Sequence, residues 1–407
     1  MKIVSIRIAT ALLLFVLCPA LAWSETTAYI PSFDDDDVKR ILDTNPDTVA
    51  EVDVCEGPYG AAVTPDGANL VLTCSTSDIV TVVPTVNFVS ASAQETIALG
   101  DDHEPRGVAI ESQGYYAYVA NFANDTVDEI NINSASVVDT FDVGDGPWGV
   151  AATYDSVEDE VKVYVTNHND DSVSVISGTD IDTISDVGEG PVGAALTPDG
   201  GTLFVANLED DTVAVIDTAE LAVTATISVG EEPWGVAVAA DGDYVFVTNS
   251  EDDTVSLIST DTLTVSRTLS VGDQPMGIAA PVNGDFAYAV NQTDGTVSKI
   301  TTDGTVTTID SADLNGAFSL GAFIGGSAPD APSDLEAVME SSSQIQLTWT
   351  NNADDAEGFK IEHRKDDEEE FVQVAKVDED ETTYTDYGLS RDTTYEYRVR
   401  AFNEASN

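Results

Sequence analysis

Pro147-Trp148-Gly149-Val150-Ala151, then Tyr164-Val165-Thr166-Asn167, then Asp171-Ser172-Val173-Ser174-Val175-Ile176 is one copy of a unit that this chain repeats. The Pro-x-Gly element recurs at Pro58-Tyr59-Gly60, Pro105-Arg106-Gly107, Pro147-Trp148-Gly149, Pro191-Val192-Gly193, Pro233-Trp234-Gly235 and Pro275-Met276-Gly277, spaced 42 to 47 residues apart. Each copy reads as a turn, an apolar strand, a Tyr-Val-Thr-Asn-like strand, an acidic turn and an Asp-Thr-Val-like strand, with a fourth strand before the next copy. Alternating β-branched residues support the strands, and Gly and Asp mark the reversals. A sheet this small buries its two faces only against neighbouring copies, so a period of this length built from four short strands predicts an all-β propeller.

The ends of the array set the number of blades. Tyr29-Ile30-Pro31-Ser32, Asp36-Asp37-Val38 and Thr48 to Val54 match the last three strands of a unit with no first strand before them. Phe318 to Ile324 reads as a first strand with nothing after it. Joined, they make one further blade, and the expectation is a seven-bladed β-propeller over residues 25–326, closed by three N-terminal strands and one C-terminal strand. Rings of six or eight blades are the alternatives.

The repeat resembles the YVTN β-propeller repeat of bacterial and archaeal surface and secreted proteins. The match runs from about Tyr29 to Gly326, and the first copy departs from it with Val71-Leu72-Thr73-Cys74. The resemblance implies an extracytoplasmic propeller, and it speaks to fold far more than to function, because one fold carries many functions.

After Gly325-Gly326-Ser327 the composition changes, and Ala328-Pro329-Asp330-Ala331-Pro332 reads as a short stiff linker. Residues 327–407 then follow another plan, with alternating strands near Ile345 to Trp349, Phe359 to Arg364 and Tyr395 to Phe402, as in an immunoglobulin-like β-sandwich. Pro332-Ser333-Asp334-Leu335, Leu347-Thr348-Trp349 and Tyr395-Glu396-Tyr397-Arg398-Val399-Arg400-Ala401 resemble a fibronectin type III domain. That resemblance implies a core role for Trp349 and a tyrosine corner at Tyr395. Measured against that family, the segment lacks its last strand at Asn407, which leads to the expectation of a strand-donating partner or of further chain. No Arg-Gly-Asp occurs.

Residues 1–24 read as a secretory signal peptide. Lys2 and Arg7 precede the apolar run Ile8 to Leu17, and Ala20-Leu21-Ala22 suits cleavage. The run is too short to span a membrane, so no membrane insertion of the mature chain is expected. Leu17 stands before Cys18 where a lipobox needs a small residue. The expected location is secreted, extracellular or cell-surface, with the periplasm as a variant. In such a compartment Cys55 and Cys74 are free to pair. They replace the Gly before Pro-x-Gly (Gly144, Gly188) and the Asn that ends the next strand (Asn167, Asn207), positions at the same end of one antiparallel hairpin. A disulfide there closes a loop of roughly 20 residues and contributes about 3 kcal/mol.

Charge excludes some partners. The chain carries 74 Asp and Glu against 15 Lys and Arg, a formal net charge of −59. Between residues 25 and 327 the basic residues are Lys39, Arg40, Arg106, Lys162, Arg267 and Lys299. Such a surface repels phosphate backbones and anionic lipids, so no nucleic acid partner is expected. Three explanations of the charge stay open, namely a cationic ligand, Ca²⁺, or a salty medium that screens self-repulsion.

Propellers bind at their axial faces. In this register Tyr59, Arg106, Trp148, Val192, Trp234 and Met276 stand at the channel mouth, varying between constant Pro and Gly. Aromatic side chains with one Arg suit a protein or carbohydrate ligand, while packing between blades is the competing role for the same residues. The acidic turns Asn124-Asp125-Thr126, Asp170-Asp171-Ser172, Asp210-Asp211-Thr212 and Asp252-Asp253-Thr254 carry oxygens of the kind Ca²⁺ takes. They lack the Asp-x-Asp-x-Asp-Gly loop with a distal Glu, which favours plain Asx-type turns and no cofactor. The acidic run Asp34 to Asp37 reads the same way. His103, His168 and His363 are far apart in sequence, the first two on adjacent blades. No haem, nucleophile-elbow or phosphate-loop motif occurs. A binding and adhesion role is therefore expected, against a hydrolase or lyase acting on a polysaccharide or lactone and against a structural envelope component.

Overall fold

The computed structural model describes residues 3–7, 14–15, 27–42, 45–85, 88, 94–155, 160–281, 284–309, 324–325, 332–341, 343–351, 358–365, 371–378, 381–390 and 393–402. The chain divides into two compact units, residues 25–326 and residues 327–407 together with 1–24.

The first unit contains seven four-stranded antiparallel sheets, each with its strands in meander order. Six follow the repeat; in blade 3 they are Pro147–Asp155, Glu160–Asn167, Ser172–Ser177 and Asp180–Ile184. The seventh combines Ile324–Gly325 with Thr27–Ser32, Asp37–Leu42 and Asn45–Asp53, the short C-terminal strand pairing with Thr27 and Ala28. The remainder of the expected strand Phe318 to Ile324 lies outside the described residues, as does most of the linker before Pro332.

In blade 4 the strands Thr202–Asn207 and Thr212–Asp217 are apolar and buried almost throughout because neighbouring blades cover both faces, whereas the outer strand Ala222–Ser228 alternates. Ala151, Tyr164, Val173 and Val175 of blade 3 pack with Leu203, Val205, Ala214 and Ile216 of blade 4, all buried. The cores thus lie between blades, and each large apolar side chain so buried contributes about 1.5–3 kcal/mol. In blades 2 to 6 the second strand ends in a buried Asn that donates to a hydroxyl on the third strand: Asn167 Nδ2 reaches Ser172 Oγ and Ser174 Oγ, both at 2.9 Å. Blade 7 has Ser32 in that place and fills the equivalent space with a buried ion pair, Lys39 Nζ to Asp37 Oδ2 at 2.9 Å. Asp35 also reaches Lys39, so part of the acidic run is structural.

The Pro-x-Gly elements, expected as turns, are the first residues of the innermost strands. The register shifts between Pro147 and Val150, and likewise in the other five repeats. This bulge takes the x and Gly residues out of the ladder and re-aims the x side chain. Cys55 and Cys74 form a disulfide with Cα atoms 6.1 Å apart.

In the second unit, Ser333–Ser341, Gln344–Thr350 and Thr383–Tyr387 make one sheet. Gly358–Lys365, Val372–Asp378 and Thr394–Phe402 belong to the other. Trp349 lies in the core against Phe359, ring centres 5.4 Å apart. The Tyr395 hydroxyl accepts from the Ser390 N–H at 3.0 Å, the geometry of a tyrosine corner. Ile3–Arg7, inside the expected leader, pairs antiparallel with Thr394–Phe402, so the edge expected to lack a strand carries this one. Among the described residues no helix is long and apolar enough to cross a membrane.

Candidate functional site

One face of the propeller collects three sets of residues from every repeat: the loop before the inner strand, the first residues of that strand, and the acidic turn after the second strand. Close packing at the axis explains the constant glycine. A Cβ on Gly149 would lie 2.1 Å from the carbonyl oxygen of Val192 in the next blade, and one on Gly193 would lie 2.2 Å from that of Trp234. Each inner strand therefore leans on the next blade's x residue. Hydroxyls in alternate blades reinforce the contact: Thr166 Oγ1 donates to the Val192 carbonyl at 2.7 Å and Thr248 Oγ1 to that of Met276 at 2.7 Å.

The acidic turns lock the same face. Asp125, Asp171, Asp211 and Asp253 adopt φ of 51–57° and accept from amides of the following blade's loop, at Gly146, Gly190, Glu232 and Gln274. The preceding residues Asp170, Asp210 and Asp252 accept from the loops leading into their own blades, at Asp145, Glu189 and Glu231. One oxygen of each of these carboxylates thus accepts from a backbone N–H group. Among the described residues no group of three or more His, Cys, Asp or Glu is placed to hold a metal ion. His103 lies beside the Asp101 carbonyl, whereas His168 packs on Trp148 with ring centres 5.0 Å apart.

The structure gathers the x residues around the axis. Met276 packs with Tyr59, Trp148 and Trp234, and the two indoles meet edge to face at 5.5 Å. The Arg106 guanidinium stacks 3.5 Å over Phe122 and 3.8 Å over Trp148, and pairs with Glu104 at 3.6 Å. Burial pulls the Arg106 pKa below its ordinary value, with Tyr59 and Glu104 opposing the shift. Burial likewise pushes the Tyr59 hydroxyl up. Tyr59, Arg106, Trp148 and Trp234 remain half-buried, with surface to offer a ligand. Val192 and Met276 do not match the expected rim: they are 0% and 7% exposed, and both serve as packing.

Beside this plug, where blades 7, 1 and 2 meet, lies a cavity of about 440 Å³. Phe33, Tyr59, Ser75 and Thr76 form one part of its wall, and Asp78, Asp102, Glu104 and Arg106 the other. Phe33 and Tyr59 stand nearly perpendicular, 6.4 Å apart. Asp78 is held in place by its own loop contacts: Oδ2 accepts from the Asp102 N–H, and Oδ1 from those of His103 and Glu104.

Sequence reasoning missed Phe33 and Phe122, and it named His168 without placing it beside Trp148. A signal for them exists: each follows the residue that ends a second strand (Ser32, Asn121, Asn167), and that next position varies from blade to blade as Phe33, Ser75, Phe122, His168, Leu208, Ser250 and Gln292. It forms a second variable ring outside the x ring.

Comparison with known proteins agrees with the geometry. The model of the Lactonase family, a 7-bladed β-propeller, matches residues 152–266, and the fibronectin type III domain model matches residues 330–407. An α-amylase of Niallia circulans is 33% identical over 82 residues, which are 20% of this chain and 6% of that protein, so the chain spans a small part of that relative. A protein of unknown function from Desulfotomaculum acetoxidans has TM-score 0.59 at 15% identity, covering 73% of this chain and 99% of its own. A streptogramin B lyase structure has TM-score 0.56 at 11% identity, covering 94% of this chain and 100% of its own. Likeness to structures at such identities is a likeness of fold, with which the YVTN pattern is compatible. The chain is a seven-bladed β-propeller followed by a C-terminal fibronectin type III domain.

Proposed function

We propose that this is a secreted or surface-attached binding protein whose acidic axial face recognises a protein or carbohydrate ligand, with the fibronectin type III domain as spacer or adhesion module. The observation that carries the reading is the 440 Å³ cavity, walled by Phe33 and Tyr59 and set beside half-buried Trp148, Trp234 and Arg106. Aromatic anchors in a concavity with a polar rim are the usual means of recognition. Catalysis needs a carboxyl placed to exchange protons with a substrate. Two of the three cavity carboxylates are engaged, Asp78 by three backbone amides and Glu104 by Arg106, which leaves Asp102 without a second free carboxyl beside it for paired acid and base work and so favours binding over chemistry. Cleavage of the leader would uncover the edge of Thr394–Phe402 that Ile3–Arg7 covers, leaving it open to a strand from a partner.

The match to the Lactonase model over residues 152–266 favours a second reading, a hydrolase or lyase acting on a lactone or polysaccharide. A glycan and peptide array probed with the full chain and with its Phe33→Ala/Tyr59→Ala variant separates the two. Binding predicts retained ligands for the full chain and their loss in a variant with unchanged circular dichroism. Equal retention by both proteins would refute the site, and turnover of lactones or glycans by the purified chain would favour the second reading.

A further inference from the structure

We propose that the cavity between blades 7, 1 and 2 is a site for an organic ammonium group, an inference that rests on reading the axial face as the binding surface. Three carboxylates and one guanidinium line it, a local balance of −2. That guanidinium is stacked on Phe122 and Trp148, lies 5.8 Å from the Tyr59 ring and pairs with Glu104, so one of the three carboxylates offsets it and the remaining charge around the cavity is negative. Asp102 presents an exposed carboxylate on the wall, while Phe33 and Tyr59 form an aromatic corner. Carboxylate and aromatic faces together are the surroundings that an ammonium group prefers.

The approach to the cavity points the same way. The loops before the inner strands carry Asp101, Asp145, Glu189, Glu231, Glu232 and Asp273 and no Lys or Arg, so the field over this face draws cations in and turns anions away.

An independent feature marks this cavity among the blades. The Cys55–Cys74 disulfide replaces the Gly and Asn that pack together elsewhere, where a Cβ on Gly188 would come within 2.4 Å of Asn207. Cys74 directly precedes Ser75 and Thr76, and Cys55 lies just before Pro58 and Tyr59, so the bridge ties together two segments of the cavity wall. A covalently braced wall lowers the ordering cost of binding.

The test is calorimetry on the full chain with two matched pairs, glucosamine against N-acetylglucosamine and lysine amide against Nε-acetyl-lysine amide, at low and high salt. One amine is expected to bind at least about ten-fold more tightly than its acetylated twin and to weaken as salt rises. The responding pair shows whether a sugar or an amino acid carries the amine. Asp102→Asn is expected to cost about three- to ten-fold in affinity, because Asn tolerates the φ of +62° and the fold is kept. Equal binding of acetylated and free forms, abolished by Phe33→Ala/Tyr59→Ala, would overturn the ammonium site and leave the binding face standing. Silence of both pairs, with array ligands still held at this face, would also overturn it. Silence of both pairs and of the array would overturn both readings.

Discussion

Gly149→Ala tests how the ring is held at its axis. The added Cβ would sit 2.1 Å from the Val192 carbonyl oxygen, and ordinary contact begins near 3.4 Å, so the neighbouring strand must retreat by about 1.3 Å. That retreat strains two hydrogen bonds, Thr166 Oγ1 to the Val192 carbonyl at 2.7 Å and the Gly149 N–H to Thr166 Oγ1 at 2.8 Å. Each contributes about 0.5–1.5 kcal/mol, and overpacking adds about 1–3 kcal/mol, so the expected loss is about 2–6 kcal/mol. Thr166→Val separates the parts, because it removes the hydroxyl without adding volume and is expected to cost about 1–2 kcal/mol. Thermal melting and urea unfolding of the full chain, each followed by far-UV circular dichroism, read both variants. A loss under about 1 kcal/mol for Gly149→Ala would refute the close approach of adjacent inner strands.

Three more outcomes follow from the same geometry. Reducing the Cys55–Cys74 bridge is expected to cost about 3 kcal/mol, and Cys55→Gly with Cys74→Asn, which restores the pair used by later blades, is expected to recover part of it in a thermal melt. Asp211→Ala removes the acceptor for the Glu232 N–H and leaves Ala at φ +55°, an expected loss of about 2 kcal/mol, whereas Asp211→Asn is expected to stay within about 0.5 kcal/mol on melting. Burial alone would raise the pKa of Glu362, but its hydrogen bonds and charge contacts with Arg398 and Arg400 outweigh burial and hold it below the ordinary value. A depressed folded pKa means that this stabilisation is present above the unfolded pKa and disappears as pH falls through the folded one. Glu362→Gln is therefore expected to destabilise the second unit by about 3–5 kcal/mol near neutrality, with the gap to wild type closing in acid, as hydrogen–deuterium exchange of the strands Gly358–Lys365 and Thr394–Phe402 during urea unfolding would show.

Much of the fold is written in the chain because the repeat is in register. The Pro-x-Gly elements, the terminal Asn residues and the orphan strands at each end placed the blades, and the Cys55 and Cys74 substitutions named two neighbours through their positions in the unit. The site was legible to a lesser degree. Spacing put Tyr59, Arg106, Trp148 and Trp234 at the axis, but the burial of Val192 and Met276 depends on how tightly the inner strands converge, which a single repeat does not encode. The cavity needs Phe33 from the closing blade beside Tyr59 and Arg106, a meeting that exists only once the ring is shut. The acidic turns read as Asx-type turns, but the amides they accept from belong to the loop of the following blade, a partnership that a single repeat does not encode.

The most direct test of the binding face is hydrogen–deuterium exchange of the full chain with and without its strongest array ligand. The account predicts slowed exchange in segments 55–60, 75–78 and 102–106 and around Trp148 and Trp234. Protection confined to the opposite-face loops at 66–68, 112–114 and 199–201, or to the fibronectin type III domain, would contradict it.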